Sequence, residues 1–152
     1  MIGISFLDAQ IGRILDTLDE LKLWDSTTIV LTSDHGMHNG EKGIWEKWTL
    51  FDESARVPLL IYHPQILHPG SRYKSPVELV DIYPTVLDLL GAPYDKDKVC
   101  HGEDICKPLE GKSLAGIVLG DETLWKINKY YSAKGQRPDS NSKEVAAERQ
   151  MR

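Results

Sequence analysis

The residues best suited to chemistry lie between Ile29 and Lys47, in IVLTSDHGMHNGEKGIWEK. An apolar run stops there at Ser33-Asp34-His35-Gly36, and a polar, glycine-rich passage follows. Asp34 offers a hard anionic oxygen, and His35 a neutral nitrogen or a proton donor. Side by side they suit a divalent cation or an anionic substrate group. Gly36 lets the backbone turn sharply away. Lys47 follows a loop containing Gly40 and Gly43, and can bring a point charge back to the same mouth. The competing reading is ordinary turn chemistry, with Asp34 capping the turn and His35 on the surface.

The flanking segments must position this group. SFLDAQIGRILDTLDELKLW carries Leu7, Ile11, Ile14, Leu15, Leu18 and Leu21 on one face of a helix, with Ser5 as its N-cap and Asp8 three residues on. Thr28 to Thr32 reads as a buried strand, and Arg56 to Pro64 as a second one, ended by Pro64. WTLFDESA between them suits a short helix. Asp81 to Leu90 reads as a helix with Asp81 at the N-cap, Pro84 in the first turn and Gly91 at C′. Ser113 to Leu119 offers one more short helix. Helix, strand, helix, strand is the pattern of an α/β fold, in which functional groups gather past the carboxyl ends of strands. Asp34 and His35 take that place after the first strand.

With 152 residues the chain is long enough for a single core. A formal charge of −5 and the lack of a basic patch speak against nucleic acid. No apolar run approaches the roughly 20 residues of a membrane span, and no leader precedes the first helix. Cys100 and Cys106 share one loop, VCHGEDICKP, and are either a small disulfide or two separate thiols. Two strands apolar on both faces need neighbours, so the chain is expected to be part of a larger domain. From Tyr131 onward, YSAKGQRPDSNSKEVAAERQMR is polar, and residues 131–152 are expected to form a poorly ordered tail.

Several spaced motifs, in order, closely resemble the sulfatase family within the alkaline-phosphatase-like superfamily. They are the DAQIGRILDTL helix, the TTIVLTSDHG strand, GEKGIWEK, ARVPLLIYHP, VELVDIYPTVLDLLGAP and EGKSL. The resemblance covers Ile4 to Leu114 and extends loosely beyond, with YYSAKGQRP similar to the family's closing segment. The cysteine-bearing loop and the QRP resemble the iduronate-2-sulfatase-like branch. The implied fold is α/β and partial: a mostly parallel sheet flanked by helices, with residues 1–130 as the C-terminal part of the domain. The resemblance implies that Asp34 and His35 are ligands of a calcium ion (magnesium in some relatives), that Lys47 contacts the sulfate, and that His38 lines the substrate pocket. MHNGEKG stands where LGEHG or LGERG is more usual, so Asn39 and Lys42 bear on loop detail and specificity but not on the metal positions.

The family's nucleophile is a formylglycine made from cysteine in a C-x-P-x-R context, upstream of the SDHG strand. Residues 1–152 hold no such motif: CKPLE has Cys106 and Pro108 but Glu110 in place of arginine, and lies downstream of the metal pair. The implied function is hydrolysis of sulfate esters on a small molecule or glycan, with the rest of the site supplied by an N-terminal portion of the same fold. Without that portion the chain is expected to be inactive. The family implies a secreted, lysosomal or periplasmic location. Two alternatives stand beside this reading, a phosphonate or phosphodiester hydrolase of the same superfamily and a non-catalytic truncated module.

Overall fold

The computed structural model describes residues 2–97, 99–100 and 106–121, which fall into two compact units divided after Pro64. The expected tail at 131–152 lies outside the described residues.

In the first unit, α1 (Ile2–Glu20) leads through a single 3-10 turn (Trp24–Ser26) to β1 (Ile29–Thr32). A long loop with a 3-10 turn (Glu41–Gly43) and α2 (Asp52–Ala55) then returns to β2 (Leu59–Tyr62). Ser5 lies inside α1, not at its cap. The helix ends in a Schellman motif: Leu23 N–H reaches Leu18 O at 2.9 Å and Lys22 N–H reaches Asp19 O at 3.0 Å. Lys22 fills the left-handed position of that motif at φ 55°, where glycine is the usual residue. β1 and β2 pair antiparallel, Ile29 opposite Tyr62 and Thr32 opposite Leu59. Trp24 and Tyr62 meet edge to face at 5.1 Å and close the far end.

The antiparallel pairing corrects the expectation of a mostly parallel sheet for these two strands. A parallel partner needs a crossover that carries the chain back to the starting end, usually a helix. Here the connecting loop folds onto the strand ends instead: Gly36 N–H donates to Ser54 O at 2.8 Å and Thr32 Oγ1 to Pro58 O at 2.9 Å. The chain therefore turns round at the mouth of β1. Strands apolar on both faces look the same in either direction, so the sequence pattern carries no sign of it.

In the second unit a 3-10 turn (Leu79–Asp81) runs into α3 (Ile82–Leu89). β3 (Val99–Cys100) and β4 (Cys106–Lys107) pair antiparallel, and α4 (Ala115–Val118) follows. The core here comprises Leu89, Ala115 and Val118, with Pro84 and Thr85 fully buried. Asp81 stands at the N-cap of α3 as expected, but its side chain makes no cap hydrogen bond to that helix. Its carboxylate completes a capping box on Glu78 N–H at 2.9 Å and accepts Lys112 N–H at 2.8 Å. Thr85 Oγ1 donates to Asp81 O at 2.6 Å and accepts Leu114 N–H at 2.8 Å. These bonds fasten the GKSL segment to the start of α3. Gly111 makes the approach possible, because a Cβ there would lie 2.0 Å from Val80 O. Gly91 (φ 63°) and Gly120 (φ 84°) close α3 and α4 with the same Schellman motif that ends α1.

Candidate functional site

Thr32 is the last residue of β1, and the next four residues make a tight polar turn. Ser33 Oγ donates to His35 O at 2.8 Å, and His35 N–H to Asp34 Oδ1 at 3.0 Å. Gly36 then packs so closely on α2 that a Cβ would lie 2.1 Å from Glu53 O. A side chain at that position would push the turn off α2.

This turn aims two donors at one point. His35 Nδ1 lies 2.8 Å from Gly36 O and is assigned as the donor to it, the tautomer whose lone pair is on Nε2. That Nε2 is 3.3 Å from Asp34 Oδ2. Two lone-pair donors at this separation repel unless positive charge lies beside them. Lys47 supplies it, with Nζ 2.6 Å from His35 Nε2. The same ammonium lies 5.7 Å from the centre of the exposed Trp48 ring. Asp34, His35 and Lys47, singled out from the sequence, therefore converge at the mouth of β1.

The donor set fits part of a divalent-cation shell. A histidine that binds metal through one nitrogen ordinarily gives its other N–H to a backbone carbonyl or carboxylate, as His35 does to Gly36. The shell is incomplete, since no group of three or more His, Cys, Asp or Glu suited to a metal occurs among the described residues. Calcium takes about six to eight ligands, chiefly oxygens, so this pair supplies a minority of them.

His38 lies in the loop that follows the turn. It is fully buried, with Nε2 2.7 Å from Thr49 Oγ1 and its ring edge-on to Phe51 at 6.0 Å. Nearby, Lys42 Nζ pairs with Glu53 Oε1 at 2.6 Å. That hydrogen bond, then the residue's own backbone amide, holds the Glu53 carboxyl below its ordinary range. Glu41 is lowered as well, first by the Asn39 amide, which lies 2.6 Å from Oε2. Of the two departures from the usual loop sequence, Lys42 thus holds a carboxylate of α2 with its side chain, and Asn39 holds that of Glu41 through its main-chain N–H. The second unit has a cleft of about 290 Å³ lined by Pro84, Tyr94, Lys96, Leu109, Lys112 and Ser113, with none of the site residues in its wall.

A strand-end turn that brings together a carboxylate, an imidazole and an ammonium offers groups chemically suited to a cation and an oxyanion. The family comparison makes this particular: the model described as Sulfatase matches residues 3–92, and the chain belongs to the sulfatase family. It is 37% identical over 132 residues to a choline-sulfatase of Rhizobium meliloti (strain 1021), covering 87% of this chain and 24% of that protein. It is 38% identical over 113 residues to iduronate 2-sulfatase of Homo sapiens, covering 59% and 20%. Among solved structures, a phosphonate monoester hydrolase from Silicibacter pomeroyi superposes with a TM-score of 0.63 at 33% identity, covering 74% of this chain and 20% of that one. A second structure, of a protein in complex with its substrate D-glucosamine-2-N,6-O-disulfate, superposes with a TM-score of 0.64 at 32% identity, covering 76% and 21%. The chain spans about a quarter or less of the length of these relatives. The superpositions support an alkaline-phosphatase-like α/β fold, of which these residues are a portion.

Proposed function

We propose that this segment carries part of the active site of a sulfuric-ester hydrolase. The observation that supports this reading best is the convergence of Asp34, His35 and Lys47 at the end of β1 in a sulfatase-family chain. Asp34 and His35 hold the divalent cation, calcium by preference and magnesium as the alternative, with the remaining ligands and the formylglycine nucleophile drawn from outside residues 1–152. A bound divalent cation supplies electrostatic stabilisation to the sulfate oxygens. The Gly36 carbonyl keeps the His35 ring in the tautomer that exposes Nε2. Lys47 sets a fixed ammonium against the sulfate and offsets the negative charge that grows as the ester bond breaks. The substrate is a sulfated small molecule or glycan.

A second reading keeps the machinery and changes the ester to a phosphonate monoester, and the Silicibacter pomeroyi superposition favours keeping it in view. The discriminating experiment is steady-state hydrolysis of an aryl sulfate against an aryl phosphonate monoester by the enzyme that carries this segment. The sulfatase reading expects the sulfate to be preferred, and Lys47→Ala to lower kcat/KM by about 10²-fold or more. Phosphonate preference would transfer the assignment to the second reading. Asp34→Ala is expected to abolish calcium-dependent activity, because it removes a charged ligand of the cation.

We also propose that Cys100 and Cys106 form a disulfide, in keeping with a secreted, lysosomal or periplasmic location. Their backbones stand directly opposite in the β3–β4 ladder, at a spacing of roughly 4.5–5.5 Å that a disulfide spans. Thiol titration under denaturing, non-reducing conditions should find no free thiol. Among the described residues, no helix is long and apolar enough to cross a membrane.

A further inference from the structure

We infer that His38 is a positioning residue, which holds the loop bearing Lys47 against the turn bearing His35. The inference rests on the proposed sulfate-contacting role of Lys47 for its meaning, but not for its geometry.

The loop from Gly36 to Ser54 leaves the mouth of β1 and comes back to it. Three backbone bonds join its outgoing and returning arms, Gly36 N–H to Ser54 O at 2.8 Å, His38 N–H to Glu46 O at 3.1 Å and Gly40 N–H to Ile44 O at 3.0 Å, and local turns add others, among them Thr49 N–H to Lys47 O at 2.9 Å. These bonds set the course of the backbone, but none of them holds the Lys47 side chain within hydrogen-bonding range of a histidine twelve residues earlier. The further restraint comes from side chains. Thr49 Oγ1 donates to Ser54 Oγ at 2.9 Å and accepts Phe51 N–H at 3.4 Å, which leaves it one further lone pair to accept with. His38 Nε2, at 2.7 Å, is therefore assigned as the donor to Thr49 Oγ1. Ser54 O in turn accepts the Gly36 N–H. One chain of bonds thus runs from His38 through Thr49 and Ser54 to Gly36, which joins the start of the loop, its return and the turn that carries Asp34 and His35.

Burial makes this relay count. His38 is fully buried and Ser54 nearly so, so water does not replace a lost bond at either residue. His38 Nδ1 has no hydrogen-bond partner. The ring is thus retained at the cost of one unpaired nitrogen, and its interaction with Thr49 is the polar contact that offsets it. A residue needed for volume alone would be served by leucine at no such cost. Lys47 lies two positions before Thr49, so the position of Thr49 restricts where the ammonium can reach.

The test reads Lys47 directly, without turnover. The full 152-residue chain is treated with an amine-acylating reagent at one pH, and labelling rates at Lys22, Lys42 and Lys47 are compared by mass spectrometry. Thr49→Val, which keeps the shape and removes the hydroxyl, and His38→Leu are expected to raise the Lys47 rate at least about threefold over the Lys22 rate. His38→Gln places a donor near the position of Nε2 and is expected to restore the wild-type ratio. An unchanged Lys47 ratio in Thr49→Val would overturn the inference. So would a rise shared equally by all three lysines in both variants, because that pattern reports loss of packing rather than of a tether. If the tether holds but Lys47→Ala leaves hydrolysis unaffected, the proposed function fails and the positioning role stands.

Discussion

The two units are built on opposite plans. In the second, the core is apolar, with Leu89, Ala115 and Val118 inside, and the polar groups of Asp81 and Thr85 clamp one segment to another at its edge. In the first, the buried side chains include the polar His38, Ser54 and His63, while Ile4, Phe6, Leu7, Ile14 and Leu21 of the α1 region are exposed. Apolar area left in water gives no stabilisation, whereas a buried polar network is geometrically exacting. The second unit is therefore organised to stay folded, and the first to fix the direction of a few side chains. The lesson extends to their glycines: Gly111 admits a structural clamp, and Gly36 admits the turn that carries Asp34 and His35.

Breaking both glycines tests that contrast with the largest expected effect. In Gly36→Ala and Gly111→Ala the new Cβ would meet backbone carbonyl oxygen at 2.1 and 2.0 Å, where no side chain can yield. Each should destabilise its own unit by about 3 kcal/mol or more. Urea unfolding with limited proteolysis should show the first 64 residues loosened in one case and the α3–α4 region in the other. A uniform loss in both would merge the two units into one cooperative block. Next in size, Thr85→Val keeps the volume but leaves the Leu114 N–H without its acceptor, at a cost of about 1–3 kcal/mol. Equal stability of wild type and variant would show that the clamp is replaceable.

The helix ends sharpen the comparison at smaller scale. α1 and α3 stop by the same motif, one with Lys22 at φ 55° and the other with Gly91 at φ 63°. Lys22→Gly should therefore raise the melting midpoint and Gly91→Ala lower it, each by the equivalent of about 0.5–1 kcal/mol. The smallest effect concerns the Lys42–Glu53 pair. Its folded carboxyl lies below the ordinary value of 4.5, so its stabilisation is present above that value and is lost as pH falls through the lowered one. Lys42→Met should differ from wild type slightly at neutral pH and converge with it in acid, a trend that pH-dependent melting curves would show and that salt should weaken.

Much of the site was legible before folding was considered. An Asp-His pair at a strand's end, a glycine after it and a lysine beyond a glycine-bearing loop are local facts, and short-range bonds fix the turn that carries the pair. Helix stops were legible as well where glycine marked them, at Gly91, but not at Lys22, because a lysine in the left-handed region leaves no trace in composition. The start of α1 was misplaced because Ser5 is as acceptable inside a helix as before one. Asp81 was recognised as belonging to a helix start, yet its second bond goes to Lys112, thirty-one residues away, which no local pattern reports.

What the sequence determined by itself is therefore the chemistry available at residues 34, 35 and 47 and the family to which these motifs belong. What the tertiary structure decided is direction: the antiparallel return of β2, the lone pair that His35 presents, and the inward turn of His38. The physical reason is range. Residue type and near neighbours set which bonds a group can make, but the partner it finds depends on which distant segment the folded chain brings beside it.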